Sequence, residues 1–233
     1  MTFEITVEKL DEALVAEKHG AKRVEVCSAL ELGGLTPSIG LVKACLDHLR
    51  ETEVHALIRT RPGNFVYTKD EVLIMLSDIQ SFADLGVNGV VIGFLNSDGT
   101  LDFEVTQAIS KFSKKLGLEV TFHRAIDYCT NLEEAIDELI EIGVDRILTS
   151  GQADSADQGI KMIKKICSWS DGKVEIMVGS GVNLLNAKKI YALDIDALHF
   201  SIRASQEEDH LGMGQSSKVD EDKLKSILEQ FET

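Results

Sequence analysis

Gly143-Val144-Asp145-Arg146-Ile147-Leu148 is the stretch on which the fold of this chain turns. A glycine closes the amphipathic stretch 132–142, two residues intervene, and a short β-rich run begins. The glycine supplies the left-handed backbone that ends a helix, and the aliphatic run that follows has the content of a buried strand. The same grammar recurs at His19-Gly20-Ala21-Lys22-Arg23-Val24-Glu25-Val26, at Gly86-Val87-Asn88-Gly89-Val90-Val91-Ile92 and at Gly117-Leu118-Glu119-Val120-Thr121-Phe122. Each is a helix passing directly into a strand.

Working outward, the pattern predicts strands near 3–7, 23–27, 54–59, 89–94, 119–123, 146–149, 174–178 and 197–199. Helices are predicted near 10–18, 40–49, 71–85, 104–116, 132–142, 158–169, 184–193 and 222–231. Strands and helices alternating at about 30 residues per repeat require parallel strands joined by crossovers. The expectation is an α/β chain forming a single (β/α)8 TIM barrel domain over residues 1–233. A doubly wound open sheet is the competitor, but its G-x-G-x-x-G fingerprint after the first strand is absent. Residues 205–218, polar and carrying Gly212 and Gly214, are expected to form a mobile loop before the last helix.

Composition narrows the partners. The chain has 24 basic and 39 acidic residues, a formal charge of −15, which disfavours nucleic acid and anionic membrane. Its 44% hydrophobic and 27% charged residues are those of a folded globular protein. No apolar run approaches the roughly 20 residues of a membrane span, and Met1-Thr2-Phe3-Glu4 lacks a basic secretory start, so a cytoplasmic location is expected. Cys27, Cys45, Cys129 and Cys167 form no C-x-x-C pair and are expected as free thiols.

In such barrels chemistry gathers at the carboxyl ends of the strands. Of seven arginines, Arg23 and Arg146 fall at strand starts, Arg50 at a helix end, and Arg59, Arg61, Arg124 and Arg203 at or just after strands three, five and eight. Four guanidinium groups on one rim of an acidic protein predict a small-anion site, since each presents a planar fork to phosphate or carboxylate. The competing reading is that they pair with rim carboxylates. Gly179-Ser180-Gly181, after strand seven, can bring backbone N–H groups to an oxyanion, and Asn183 can cap the next helix; Ser150 and Gly151, after strand six, add donors. Strand alternation turns Glu4, Thr6, Glu25, Cys27, His55 and Arg59 inward, so that Glu25 and Arg59 can pair on adjacent strands. His123 and His199 end strands five and eight and are candidate acid/base groups or metal ligands. The lysines all fall in helices, in loops or just before strands, so none is expected inside the barrel to form a Schiff base.

Seven ordered segments resemble the CutC family of copper homeostasis proteins. They are Arg23-Val-Glu-Val-Cys27, Gly33-Gly-Leu-Thr-Pro-Ser38, Ile58-Arg-Thr-Arg61 with Phe65-Val-Tyr67, Gly89-Val-Val-Ile-Gly93 with Asp98-Gly99, Thr121-Phe-His-Arg-Ala125 with Asp127, Ile147-Leu-Thr-Ser-Gly-Gln152, and Met177-Val-Gly-Ser-Gly-Val182. The resemblance implies a cytoplasmic, often oligomeric (β/α)8 barrel that binds Cu(I) through cysteines at the ends of strands one and two. Cys27 matches the second of those positions, while Thr6 stands where the first cysteine can be. Asn64 replaces an acidic residue of the family pattern, and Ser180 its central glycine.

Two functional expectations follow. One is a CutC-type cytosolic copper homeostasis protein, a homo-oligomer binding copper weakly with Cys27 as metal ligand. The other is an enzyme of isomerase, lyase or hydrolase type acting on a small phosphorylated or carboxylated metabolite. In the second, Glu25, His123 and Arg59 are catalytic, and the ligand is held by Arg61, Arg124, Ser150, Gly151, Gly179, Ser180, Gly181, His199 and Arg203.

Overall fold

The structure, a computed structural model, describes residues 2–205 and 217–231. Eight parallel strands bond in sequence order and close on themselves: β1 (Thr2–Val7), β2 (Arg23–Val26), β3 (Glu53–Leu57), β4 (Gly89–Ile92), β5 (Glu119–Phe122), β6 (Arg146–Thr149), β7 (Glu175–Val178) and β8 (Ala197–Ser201). Between them run α1 (Leu10–Lys18), α2 (Ile39–His48), α3 (Lys69–Leu85), α4 (Phe103–Lys115), α5 (Leu132–Ile142), α6 (Ala156–Ser170) and α7 (Ala187–Tyr191), with α8 (Glu221–Leu228) after β8. This is the (β/α)8 barrel that the alternation predicts. Among the described residues, no helix is long and apolar enough to cross a membrane.

The opening motif behaves as its chemistry dictates. Gly143 ends α5 at φ +81°, and α5 buries Leu132, Ala135, Ile136 and Leu139, the stripe that a helix lays on a sheet. A side chain at that glycine costs on the order of 1 kcal/mol in the left-handed region. At its start, α3 is closed reciprocally: the Glu71 amide donates to Thr68 Oγ1 at 3.2 Å and the Thr68 amide to Glu71 Oε2 at 2.7 Å. Outward strand residues such as Ile5, Val24, Val90, Val120, Ile147 and Leu198 form the main core beneath the helices.

The barrel interior is far more polar. Besides two small apolar clusters, Cys27–Leu57–Val91 and Leu148–Met177–Ala197, it holds ion pairs at the amino end of the strands. Arg23 bonds to Glu4 and Glu175 and lies 3.6 Å from Glu53. Arg146 bonds to Glu119 at 3.1 Å and Thr121 at 3.0 Å, and lies 2.8 Å from Glu175. Register dictates these contacts, since Arg23 sits opposite Glu4 and Glu53, and Arg146 opposite Glu175.

Two expectations need correction. The seventh helix begins only at Ala187, because the Leu185 amide bonds to Asn183 Oδ1 and the Asn183 amide to Asn186 Oδ1, holding 183–186 in a turn. Asn183 therefore closes that turn rather than capping α7. The segment 205–218 is strand at both ends: β9 (Arg203–Ser205) pairs antiparallel with β10 (Ser217–Val219), and the loop expected between them, 206–216, lies outside the described residues.

Candidate functional site

Because all eight strands run the same way, their carboxyl ends share one pole, and there a cavity of about 370 Å³ opens. Glu25, Arg59, His123, Arg124, Ser180, Gly181 and His199, all anticipated from the sequence, line it together with Thr6, Phe65 and Lys223.

Its wall carries a buried proton-holding chain. His199 Nδ1 lies 2.8 Å from Glu4 Oε1, and its Nε2 lies 3.4 Å from Glu25 Oε2. Burial lifts the Glu25 carboxyl to about 7 against the pull of His199, with the Glu4 charge adding to the rise. Burial also works against charge on His199, but the bond to Glu4 and the fields of Glu25 and Glu4 outweigh it and raise the imidazole pKa. For Glu4 burial is again the largest influence, yet the bond to His199 and the charges of His199 and Arg23 hold it well below the usual carboxylate range. A carboxylate thus orients an imidazole whose second nitrogen faces a carboxyl poised near neutrality. Such a pair can give or take a proton. These three side chains also have the spacing of a metal-binding group, but the 2.8 Å contact is a direct hydrogen bond whose proton fills the gap.

The opposite wall offers donors. His123 is buried, its Nδ1 accepts the Ala125 amide at 3.1 Å, and its Nε2 has no partner among the described residues. Burial, aided by Arg59, pulls its pKa down to about 3, so the ring is neutral and Nε2 carries the hydrogen. Gly93 makes room for that ring, since a Cβ there would stand 2.2 Å from His123 Cε1.

Arg59 does not pair with Glu25 as expected. It lies two residues beyond the end of β3, and its guanidinium donates to the carbonyls of Leu32 at 3.0 Å, Gly34 at 2.9 Å and Gly63 at 2.9 Å. It ties two loops together by neutral partners and keeps its charge at the cavity, with Nε buried and without an acceptor among the described residues. Arg124 donates to Asp127 at 3.0 Å and to Ser150 Oγ at 2.8 Å.

The loop after β6 is occupied from within. Asp127 accepts the amides of Ser150 at 2.9 Å and Gln152 at 3.1 Å, while the Gly151 amide goes to Thr149 Oγ1. Ser150 and Gly151 therefore lie outside the cavity lining with their amides in use. The loop after β7 contrasts with it. Ser180 and Gly181 take φ of +73° and +72°, and among the described residues the amides of Ser180, Gly181 and Val182 reach no protein acceptor. Gly179 packs beside His199 and Leu148.

Besides Ser150, Gly151 and Gly179, three sequence candidates stand away from the cavity lining. Arg61 is engaged by Glu71, Asn64 and the Val66 carbonyl, and stacks 4.9 Å over Tyr67. Arg203 pairs with Glu8 and donates to Ser217 Oγ at 3.0 Å. Cys27 is buried beside Leu57 and Val91, with Thr6 Oγ1 at 3.4 Å, and burial pushes its thiol far above its ordinary pKa. It belongs to neither group of side chains spaced to share a metal ion among the described residues. Cu(I) wants soft thiolate or thioether ligands, so a lone protonated thiol beside a hydroxyl does not fit it.

The structure adds residues that sequence reasoning passed over. Glu4 meets His199 because β1 pairs with β8, the register that closes the barrel. Contrary to the expectation drawn from the lysines, one does reach the mouth: Lys223 of α8 lines the cavity and donates to the Ser201 carbonyl at 2.6 Å, with burial lowering its pKa. No β-segment announces it.

Comparison with known proteins agrees with the segment pattern. The model of the CutC family matches residues 1–204. A CutC family protein from Vibrio atlanticus is 42% identical over 205 residues, covering 88% of this chain and 83% of that protein. One from Bacteroides thetaiotaomicron is 39% identical over 226 residues, covering 94% and 90%. The crystal structure of CutC from Streptococcus agalactiae, whose name proposes a copper homeostasis role, superposes with a TM-score of 0.81 at 32% identity, covering 86% of this chain and 98% of that one. The chain belongs to the CutC family.

Proposed function

We propose that this barrel is an enzyme that moves a proton on a small metabolite carrying a phosphate or carboxylate group. The observation that carries this reading is the buried Glu4–His199–Glu25 chain, which ends at the wall of a cavity whose other side presents hydrogen-bond donors. Glu25 exchanges the proton with the substrate, His199 shares it, and Glu4 holds His199 in orientation. His123 Nε2–H supplies a neutral donor for the oxygen on which charge develops. Arg124, Lys223 and the amides of 180–182 receive the anionic group, in keeping with the frequent use of the loop after strand seven for phosphate in barrels of this type.

The test is hydrogen–deuterium exchange in D2O on a panel of phosphorylated and carboxylated aldehydes and ketones, followed by NMR. At least one compound is expected to exchange, the rate falling about 10²–10⁴-fold in Glu25→Gln and Arg124→Ala raising KM. No exchange anywhere in the panel, together with no anion-dependent rise in Tm, overturns the reading.

A copper role is favoured by the name of the Streptococcus agalactiae relative. For this chain we infer that such a role does not run through Cys27, and Cys27→Ser should titrate with Cu(I) like the parent; lost Cu(I) affinity in that variant would restore the thiol site. We also infer a cytoplasmic setting, which the four unbridged cysteines support.

A further inference from the structure

At the pole opposite the cavity, Glu53, His55 and Glu119 bring one imidazole and two carboxylates together. The register explains how: His55 sits opposite Gly89, and Gly89 opposite Glu119. The intervening strand therefore offers no side chain there, and the His55 ring fills the place, since a Cβ on Gly89 would stand 2.4 Å from it. His55 is fully buried, and neither ring nitrogen has a hydrogen-bond partner among the described residues.

Its Nε2 is directed at both acids, 3.9 Å from Glu53 Oε2 and 3.8 Å from Glu119 Oε2. Those separations exceed hydrogen-bond reach. They suit atoms sharing a cation, because two bonds of about 2.1 Å opened somewhat beyond the tetrahedral angle span ~3.8 Å. Among the described residues the network is acidic, with Glu4, Glu53, Glu119 and Glu175 against Arg23 and Arg146; Glu119 Oε2 accepts from Arg146 at 3.1 Å and Glu53 Oε2 lies 3.6 Å from Arg23, so the two guanidiniums flank the carboxylates without neutralising all four. Glu53 and Glu119 keep 44% and 45% of their side chains exposed, so an ion can enter from solvent and retain water.

We propose that Glu53, His55 and Glu119 form a binding site for a divalent first-row transition metal at the amino end of the barrel, separate from the mouth. Imidazole with carboxylates suits Zn²⁺ and its neighbours, and excludes the Cu(I) preference for sulfur.

The test is calorimetric titration of the full chain, stripped with chelator, using Zn²⁺ as the probe. One Zn²⁺ per chain is expected, with affinity falling at least about tenfold in Glu53→Gln and in Glu119→Gln, on the scale of losing one ligand contact. Both carboxylates are half-exposed, glutamine keeps an oxygen to face the guanidinium, and Arg23 and Arg146 each retain Glu175, so these variants keep the fold, whereas His55→Gln risks the core. Cys27→Ser and Glu25→Gln should titrate as the parent does. The proposal fails if the parent takes up no Zn²⁺, if both surface variants bind undiminished, or if the loss appears in Glu25→Gln instead.

Discussion

At the amino end of the barrel, Arg23 and Arg146 each meet carboxylates from neighbouring strands, whereas at the carboxyl end Arg59 meets three backbone carbonyls and Arg124 a single carboxylate and a hydroxyl. The same side chain does two jobs. Charges neutralised across strands at the floor tie the staves together, while Arg59, held by neutral groups at the mouth, leaves positive potential beside the cavity. An arginine's position along a strand matters less than the charge of what receives its hydrogens.

The largest effect expected from breaking this contrast is at the floor. Arg23→Met leaves the fully buried Glu4 without its guanidinium partner and should destabilise the protein by about 3–5 kcal/mol in urea unfolding. A loss under about 1 kcal/mol would mean that the floor pairs are not structural. At the mouth, Gly93→Ala drives a methyl into the His123 ring and should cost about 2 kcal/mol. Its Tm should fall without any change in Zn²⁺ uptake, because Gly93 follows the carboxyl end of β4 while Gly89, beside His55, begins it; altered uptake would show that the two ends are coupled.

A third experiment sharpens the comparison through pH. Burial raises Glu25 in the fold from 4.5 to about 7, so the stability it has in its protonated form, complete below pH 4.5, is lost as pH climbs through 7. Glu25→Gln does not titrate. The variant-minus-parent difference in unfolding free energy should therefore be more positive at pH 8 than at pH 5, by on the order of 2 kcal/mol. A flat difference would place the proton elsewhere. The smallest effect belongs to Arg61→Ala, whose partially exposed ion pair with Glu71 should be worth less than about 1 kcal/mol.

Arg59 and Arg61 show how far the sequence could be read. Two residues apart after the same strand, both are expected at the site, Arg59 as catalytic and Arg61 as ligand-binding, yet one lines the cavity and the other is wrapped in its own loop. Helix-to-strand punctuation is local chemistry, so the repeats, the barrel and the pole of the site were readable from residues close in sequence. Glu4 meeting His199 was not, because it exists only once the first strand pairs with the last. Lys223 was hidden for a related reason: it reaches the mouth from the final helix, where no strand marks its direction. The occupied amides after β6 depended on a partner more than twenty residues away.

That last feature reaches beyond the loop itself. With Asp127 already seated against the backbone of 150–152, this part of the rim has its shape before any molecule arrives. A ligand entering the barrel would lose little conformational entropy in ordering it. Through Arg124, which Asp127 and Ser150 hold at the cavity wall, that side would meet a guest as a fixed contour rather than by closing around it.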